Sequence, residues 1–254
     1  MNYTWNFKPL PPQATVIQLQ QELNISEPLA ILLAQRGITT FQQAKDFFRP
    51  TLSQLHNPFL MKGMKEAVTR LDQALKNNET ILIYGDYDVD GTSAVSLMER
   101  YLSTFTSKLF TYVPDRYSEG YGISFQGIDY AEAQGCTLII ALDCGIKAID
   151  KVQYAKEKGI DCIIADHHRP SDQVPDAVAV LDPQQADCLY PYKELCGCGL
   201  GFKLAQAYHE YLQRPFSELI PLLDLVAVAT AADIVPMNGE NRTLMYFGLE
   251  VINQ

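Results

Sequence analysis

Hydrophobic residues in the second part of the chain form short continuous runs that alternate with stretches of helical periodicity. The runs span residues 80–86, 109–114, 137–142, 161–165 and 177–181. Runs of this length bounded by turn signals are typical of strands covered on both faces. The helical stretches span residues 91–104, 124–134, 147–158, 199–212 and 217–231. The alternation predicts an α/β fold: a mostly parallel five-stranded sheet with helices on both faces.

The first 75 residues show helical spacing without strand-like runs. Apolar residues from Leu29 to Ala34 recur at the spacing of a helix, and Thr40 is suited to cap the next one. A further helix is predicted from Met64 to Lys76. We therefore expect a small helical N-terminal cap over residues 1–75, followed by an α/β lobe over residues 76–254.

Acidic and histidine residues stand at or directly after the ends of three of the predicted strands. Asp86 ends the first strand, Asp143 follows the third, and Asp166, His167 and His168 follow the fourth. In a parallel α/β sheet, ligands bind outside the carboxyl ends of the strands, where the strand order reverses. The sequence therefore predicts a binding site at this edge, and its residue types favour a metal site.

The segment after the first strand carries three acids at alternate positions, Asp86, Asp88 and Asp90. Residues two apart at a strand end project to the same side, so these acids can converge. Gly91 then allows a tight turn into a helix whose N-terminus favours anions. The alternative is a calcium loop of the EF-hand type, which needs a preceding helix and an acid at the twelfth position. That position is Leu97 and a strand-like run precedes, so the calcium loop is disfavoured.

Each of the other acids has an ordinary explanation when it is taken alone. Asp143 would serve equally as a helix cap. His167 and His168 fit a solvated surface turn, although two imidazoles beside Asp166 are costly to arrange without a metal or a phosphate. Asp233 ends an alanine-rich helical segment and is either a cap or a ligand brought in from outside the sheet.

The mixture of carboxylates and imidazoles indicates which metal the site would bind. Such a set suits Mn²⁺, with Mg²⁺ as the usual competitor, and does not suit metals that prefer thiolates. Four or more carboxylates with two histidines exceed the needs of one ion. Two neighbouring ions are a recurring device for activating water and stabilising the leaving oxygen of a phosphate ester.

Composition places the chain among globular proteins, because 47% of its 254 residues are hydrophobic and 20% are charged. No run approaches the ~20 apolar residues of a membrane span, and the first residues lack the pattern of a secretion signal. The six cysteines include no Cys-x-x-Cys pair, so reduced and buried thiols are expected. Cys196 and Cys198 are interpreted as small packing residues. We expect a cytoplasmic protein that does not contact membranes.

The net charge of −10 has the wrong sign for a typical nucleic-acid-binding protein. Carboxylates that await divalent cations explain part of this excess, but not all of it. Composition alone therefore argues against a nucleic-acid substrate.

Four motifs in a fixed order point the other way. They are GDYDVDG (85–91), ALDCG (141–145), ADHH (165–168) and ATAADIVP (229–236). Together they resemble the DHH phosphoesterase superfamily and, within it, the RecJ-type single-stranded-DNA-specific exonucleases. The resemblance covers nearly the whole chain.

The resemblance implies a set of metal ligands and an activity. The implied ligands are Asp86, Asp88, Asp90, Asp143, His167, His168 and Asp233. Asp143 is the implied bridging ligand, and Asp143, Asp166 and His168 are the expected catalytic residues, with His168 contacting the phosphate or protonating the leaving oxygen. The implied enzyme uses Mn²⁺ or Mg²⁺, with two ions expected, and degrades single-stranded DNA from its 5′ end to 5′-mononucleotides. DNA repair and recombination are the expected setting, with a single-strand-binding protein and a helicase as partners.

The segment from Arg116 to Gly122 is the expected substrate loop. Arg116 suits a bidentate contact to a phosphate, unless an ion pair with a neighbouring acid occupies it. Gly120 and Gly122 allow the backbone to approach a substrate closely. Tyr117 or Tyr121 can stack on a base, although such aromatics are more often packing residues.

Two departures from the resemblance matter. Many relatives have a histidine where this chain has Tyr84, and tyrosine is a poor Mn²⁺ ligand. One ion is therefore expected to hold an extra water or to depend more on Asp86. RecJ enzymes also continue into a second lobe and an oligonucleotide-binding barrel, so this chain is expected to hold only the first lobe and the cap.

Two other functions remain open. The chain could be a DHH hydrolase of short oligonucleotides or small phosphoesters. Alternatively, it could be a catalytically incomplete lobe that binds metal but needs the missing C-terminal part.

Overall fold

A computed structural model describes residues 4–254, which fall into two compact units that divide between Leu52 and Ser53. The first unit contains helices α1 (Gln13–Leu23), α2 (Glu27–Ala34) and α3 (Phe41–Phe48). Their core includes Val16, Leu19 and Ala30. The predicted cap at Thr40 is confirmed, because its hydroxyl accepts a hydrogen bond from the Gln43 amide in a reciprocal capping box.

The second unit is an α/β lobe. It contains α4 (Met64–Lys76), β1 (Thr80–Gly85), α5 (Val89–Leu102), β2 (Leu109–Tyr112), α6 (Phe125–Ala133), β3 (Cys136–Leu142), α7 (Ile149–Glu157), β4 (Asp161–Ala165), β5 (Ala179–Leu181), α8 (Gly197–Tyr211), α9 (Leu223–Ala232) and α10 (Gly239–Ile252). Short 3₁₀ helices span Leu52–Gln54, Pro58–Leu60 and Phe216–Leu222. The helix expected from Met64 to Lys76 is present, but it lies in this unit because it packs on α8 and β5. The compact units therefore divide earlier than the expected boundary at residue 75, and the proposed domain assignment stays a prediction.

The five strands form one parallel sheet in the order β2-β1-β3-β4-β5. The predicted fold class is confirmed. Strand order reverses between β1 and β3, where the chain leaves β1 in one direction for β2 and later returns to the other side. Such a switch point opens a crevice at the carboxyl edge of the sheet. The expected site residues Asp86 and Asp143 follow the two strands that flank it.

Helices cover both faces of the sheet. Leu82 and Tyr84 of β1 share a hydrophobic cluster with Ile128 of α6 and Val152 of α7. On the other face, α5 and α8 pack against β1 and β3. With both faces covered by helices, the carboxyl edge of the sheet remains accessible to a ligand.

Among the described residues, no helix has the length and apolar character needed to cross a bilayer.

The helix predicted over residues 217–231 differs from the structure. Its first part is the 3₁₀ segment Phe216–Leu222, which contains Pro221, and α9 begins only at Leu223. Proline lacks the amide proton that a regular helix uses at an interior position. The delayed start still brings the end of α9, and with it Asp233, to the carboxyl edge of the sheet.

Candidate metal centre

Three adjacent strands deliver the three strand-end aspartates side by side. Gly85 of β1 pairs with Leu142 of β3, and Leu142 pairs with Ala165 of β4. The next residue of each strand is Asp86, Asp143 or Asp166. The parallel register therefore aligns these carboxylates along one edge, as the sequence predicts.

His167 lies at the centre of a cluster of carboxylates. Its Nε2 atom is 3.1 Å from Asp143 Oδ1, 3.7 Å from Asp233 Oδ2 and 3.8 Å from Asp90 Oδ2. The oxygens of Asp143 and Asp233 are buried and have no hydrogen-bond partner among the described residues. Two buried oxygens and an imidazole nitrogen that converge without hydrogen bonds have the arrangement of metal ligands.

His167 belongs to two overlapping ligand groups. Possible ligand atoms of Asp143, His167 and His168 lie within 4.8 Å of one another, and so do those of Asp90, His167 and Asp233. Five of the seven expected ligands thus converge in two groups, which fits two neighbouring ions. The donor types, carboxylate oxygen and imidazole nitrogen, fit Mn²⁺ or Mg²⁺.

Backbone amides hold Asp90 in place. Its two carboxylate oxygens accept hydrogen bonds from the amides of Gly197 (2.6 Å) and Cys198 (2.8 Å) at the start of α8. A Cβ atom at Gly197 would lie 2.4 Å from the Asp143 Cβ, so only glycine lets α8 approach this closely. The first amides of α8 therefore fix the position of the Asp90 carboxylate, and the N-terminus of the helix favours its negative charge.

Asp143 is the most constrained of these residues. Its backbone adopts the left-handed region, with φ of 59°, and its side chain is buried. Burial and the neighbouring carboxylates of Asp90 and Asp88 raise the pKa of Asp143 to about 10. Strained backbone and crowded like charges persist where a site requires them, and a bound cation would relieve the repulsion.

Asp166 serves a different purpose from the other acids. One of its oxygens accepts hydrogen bonds from His168 Nδ1 (2.7 Å) and the His168 amide (3.1 Å), and the other accepts from the Ile146 amide (2.9 Å). Burial, the largest single influence, opposes ionisation, but the hydrogen bonds and charge of His168 together with the Ile146 amide outweigh it and lower the pKa of Asp166. Asp166 therefore orients His168, whose Nε2 lies 3.0 Å from the Tyr121 hydroxyl.

Asp86 and Asp88 lie beside the two ligand groups and belong to neither. Asp86 is buried and accepts a hydrogen bond from the Gly122 amide (3.1 Å), while its second oxygen has no partner among residues 4–254. Asp88 is exposed and caps α5 by accepting a hydrogen bond from Gly91 N. Their assignment as ligands stays a prediction.

The expected substrate loop borders this edge of the sheet. The Arg116 guanidinium lies 5.3 Å from the centre of the Tyr87 ring and forms no ion pair within the described part of the chain. Tyr117 is 94% exposed, whereas the Tyr121 hydroxyl reaches His168 and the Asp143 carbonyl oxygen. Gly120 and Gly122 both have positive φ. The loop thus presents an exposed ring and a cation without an ion pair among the described residues, and Tyr121 links it to the cluster of acidic and histidine side chains.

Tyr84 holds this loop and does not face the ligand groups. Its buried hydroxyl donates to the Gly122 carbonyl oxygen (2.9 Å) and accepts from the Ser124 amide (3.1 Å). Gly127 makes room for the ring, because a Cβ there would lie 2.4 Å from Tyr84 Cε2. Asp86, directly after β1, accepts a hydrogen bond from the Gly122 amide. The end of β1 therefore holds both the amide and the carbonyl oxygen of Gly122.

Replacing Tyr84 with Phe is expected to lower the free energy of unfolding by about 1–3 kcal/mol, because two buried backbone groups lose their partner. Hydrogen exchange at the Ser124 amide should accelerate. Urea unfolding and amide exchange measure both effects. Tyr154→Phe is the matched control, since that hydroxyl donates to the exposed side chain of Asp129 and not to a buried backbone group. Equal effects of the two substitutions would contradict the anchoring role.

One strand-end acid was not among the predicted site residues. Asp182 directly follows β5, is fully buried, and has one oxygen without a partner in the described residues. Burial raises its pKa to about 7. It joins neither ligand group. The signal that marked the other acids, an apolar run ending in aspartate, is present here too.

The fold and the site define a divalent-metal-binding α/β domain. Residues 80–230, more than half of the chain, match the family model described as "DHH family, N-terminal domain". The chain belongs to the DHH family.

Named relatives agree with the RecJ resemblance. The chain is 42% identical over 240 residues to a protein of Bacillus subtilis (strain 168) named "Single-stranded-DNA-specific exonuclease RecJ", covering 94% of this chain and 30% of that protein. The structure of RecJ in complex with Mn²⁺ from Thermus thermophilus has a TM-score of 0.78 and 29% identity, over 95% of this chain and 34% of that one. RecJ from the same organism with Mg²⁺ has a TM-score of 0.66 and 26% identity, over 95% and 30%. The chain thus spans about a third of these relatives.

Proposed function

We propose that this chain is the catalytic lobe of a 5′-to-3′ exonuclease that hydrolyses single-stranded DNA to 5′-mononucleotides. The convergence of Asp90, Asp143, His167 and Asp233, with buried oxygens that lack hydrogen bonds, carries the proposal. Relatives named single-stranded-DNA-specific exonucleases support the substrate class. This chain covers 30% of the Bacillus relative.

The residues that would hold two Mn²⁺ or Mg²⁺ ions are those of the two ligand groups, supplemented by Asp86 and Asp88. Asp143 lies beside His167, which the two groups share, and is the proposed bridging ligand. Bound divalent ions would supply the positive charge that activates water and stabilises the leaving oxygen of a phosphodiester.

His168 is the proposed contact to the scissile phosphate or the donor of a proton to the leaving oxygen. Asp166 fixes its ring through Nδ1, which leaves Nε2 toward Tyr121 and the open edge of the site. Asp166 acts through His168 and is therefore a positioning residue. This arrangement of a carboxylate that orients an imidazole is common where histidine moves protons.

The loop from Arg116 to Gly122 is the proposed binding segment for the strand. Arg116 would contact a substrate phosphate, while Tyr117 and Tyr121 offer rings for base stacking. Gly120 and Gly122 have no side chains, so the DNA strand can approach the backbone closely there. This local cation, together with bound divalent ions, would offset the net charge of −10 near the substrate.

The proposed setting is DNA repair and recombination in the cytoplasm, with a single-strand-binding protein and a helicase as partners. A second function has support from the coverage, because the chain spans only 30% of its Bacillus relative. In that case the lobe binds metal but needs further sequence for cleavage.

The test is to incubate the chain with Mn²⁺ and a 5′-phosphorylated, 3′-labelled single-stranded DNA of several tens of nucleotides. Shortening from the 5′ end with release of mononucleotides is expected, while duplex DNA should persist. Cleavage of only short RNA or DNA oligomers would favour a small-phosphoester hydrolase. Metal binding without any cleavage would favour the incomplete lobe.

A further inference from the structure

Arg116 lies against an aromatic ring although two acids, Asp115 and Glu119, are close to it in the sequence. Its guanidinium carbon is 5.3 Å from the centre of the Tyr87 ring. A cation within about 6 Å of a ring centre is attracted by the negative charge of the ring face. Tyr87 stands between Asp86 and Asp88 and is not one of the candidate ligands. The ring of a residue without an assigned function therefore supports the cation of the proposed strand-binding loop.

Hydrogen bonds within the loop occupy both neighbouring acids. One oxygen of Asp115 accepts hydrogen bonds from the Ser118 amide (2.8 Å) and the Ser118 hydroxyl (2.8 Å). Glu119 accepts hydrogen bonds from the Tyr112 hydroxyl (2.8 Å), the Ser124 hydroxyl (2.5 Å) and the Asp115 amide (2.9 Å). Because both carboxylates are engaged in this way, the ion pair with a neighbouring acid that the sequence leaves open does not form.

A ring and a carboxylate would hold a guanidinium with different consequences. A carboxylate would use two of its N–H donors and neutralise its charge. A ring contacts the face of the group, so the five N–H donors in its plane stay available. A planar fork with free donors is the geometry that binds a phosphate through two hydrogen bonds. Stacking on Tyr87 therefore orders the Arg116 side chain and keeps it available to an anion.

Tyr87 also contacts a second ring. Its centre lies 6.3 Å from the centre of the Tyr121 ring at an interplanar angle of 90°, which is the edge-to-face arrangement of aromatic pairs. Tyr121 is fixed in turn, because its hydroxyl lies 3.2 Å from the Asp143 carbonyl oxygen. The Tyr87 hydroxyl has no hydrogen bond to any residue in the described part of the chain. The ring of Tyr87, and not its hydroxyl, therefore makes these contacts.

We propose that Tyr87 is a positioning residue that holds the Arg116 guanidinium in place for a phosphate of the single strand. An arginine that is ordered before binding loses less side-chain entropy when the phosphate arrives. The effect should appear in the affinity for the strand and not in the chemical step, because Tyr87 contacts Arg116 and belongs to neither ligand group. The identity of the strand rests on the proposed exonuclease function.

The test compares Tyr87→Leu, which removes the π-face but keeps an apolar side chain, with Tyr87→Phe, which keeps the ring. Cleavage of single-stranded DNA with Mn²⁺ gives kcat and KM. Fluorescence anisotropy of a 3′-labelled single strand, with Ca²⁺ in place of Mn²⁺, gives the dissociation constant. Tyr87→Leu should raise KM and the dissociation constant about two- to fivefold, as expected for one exposed cation–π contact, and should leave kcat unchanged. Tyr87→Phe should bind the strand like the unsubstituted chain.

Tyr154→Leu is the matched control. The Tyr154 ring centre lies 4.7 Å from Lys158 Nζ, so this substitution removes a cation–π contact at α7, outside the proposed strand-binding loop. It should leave the affinity for the strand unchanged. Circular dichroism verifies that the variants fold, and Tyr87→Leu should keep its thermal stabilisation by Mn²⁺.

A double-mutant cycle with Arg116→Ala isolates the contact between the two side chains. If Tyr87 acts through Arg116, Tyr87→Leu should not weaken binding further in a chain that already carries Arg116→Ala. Nuclear magnetic relaxation of the Arg116 Nε–H group gives a readout without DNA. The side chain should become more mobile in Tyr87→Leu and stay ordered in Tyr87→Phe.

Additive effects in the cycle, equal effects of Tyr87→Leu and Tyr87→Phe, or a loss confined to kcat would overturn the inference. Any of these results in a chain that cleaves single strands would refute this inference alone. A chain that binds single strands with the expected coupling but does not cleave them would keep the inference and refute the exonuclease function. A chain that binds no single strand would refute both.

Discussion

Replacing Asp143 with Asn is expected to abolish divalent-metal binding and to leave the metal-free protein folded. The Asp143 oxygen nearest His167 has no other partner among the described residues, so its proposed task is to bind cations. Asn preserves the shape but removes the negative charge that the ions require. Since like charges surround Asp143, the free energy of unfolding without metal should rise rather than fall.

Thermal unfolding with and without Mn²⁺ measures this effect. At a metal concentration of 100 times the dissociation constant, a single bound ion stabilises a protein by about 2.7 kcal/mol. The unsubstituted chain should show a gain of this order, and Asp143→Asn should show little or none. Cleavage of single-stranded DNA, the proposed activity, should fall at least about a thousandfold, as expected for a group that holds the metal stabilising several kcal/mol of transition-state charge.

Asp182→Asn is the matched control. It makes the same chemical change in another buried aspartate at the same edge of the sheet, outside both ligand groups. This variant should keep the stabilisation by Mn²⁺. If Asp143→Asn retained that stabilisation, or if both variants lost it equally, the bridging assignment of Asp143 would be wrong.

Replacing Lys203 with Met is expected to destabilise the protein by about 3–5 kcal/mol, because it leaves a buried carboxylate uncompensated. Lys203 Nζ lies 2.7 Å from Glu240 Oε1, and both side chains are fully buried. Lys203 also donates to the His56 carbonyl oxygen, and Glu240 accepts from the Tyr190 hydroxyl. The pair thus joins α8 to α10 and to the segment before α4.

Urea unfolding of a double-mutant cycle isolates this pair. Glu240→Gln alone should also destabilise the protein, and the double variant with Lys203→Met should lose less than the sum of the two. Lys76→Met is the control, since the Lys76 side chain is exposed and its ion pair with Asp72 lies within one helix, so its loss should cost less than that of the fully buried pair. Additive losses would show that the two charges do not depend on each other.

Local patterns are sufficient for the fold. Continuous apolar runs identify all five strands, because a strand covered on both faces carries apolar residues on each face and shows no polar alternation. Three strands are shorter than expected: β1 ends at Gly85, β2 ends at Tyr112 and β5 begins at Ala179. Strand ends depend on pairing with a neighbour, which the chain itself does not display. The sequence pattern gives no bounds for helix α10, which begins at Gly239.

The candidate site is predictable in its residue types and less so in its connections. Strand-end position alone marks Asp86, Asp143 and Asp166 as candidates, because parallel strands bring their carboxyl ends together. Contacts between distant segments leave no such mark in the sequence. The amides of α8 that hold Asp90 and the hydrogen bonds of Tyr84 to its loop join residues far apart along the chain.

The sequence also does not show which aspartate orients a histidine and which one is available to bind a metal. Asp166 and Asp143 both follow strands, yet one is saturated by hydrogen bonds and the other has an oxygen without a partner among residues 4–254. Only the position of His168 relative to Asp166 separates an orienting carboxylate from a ligand. Residue type and spacing are the same in either case.

The amides of Gly197 and Cys198 that hydrogen-bond Asp90 begin helix α8, so this helix connects the candidate metal centre to the protein interior. If Asp90 is a metal ligand, as proposed, it is immobilised before an ion arrives, and the ion should gain affinity from order already established by folding. The same helix carries Lys203 of the buried ion pair. Metal affinity and global stability are therefore thermodynamically coupled, and variants that loosen α8 at its far contacts should release ions more readily although they touch no ligand.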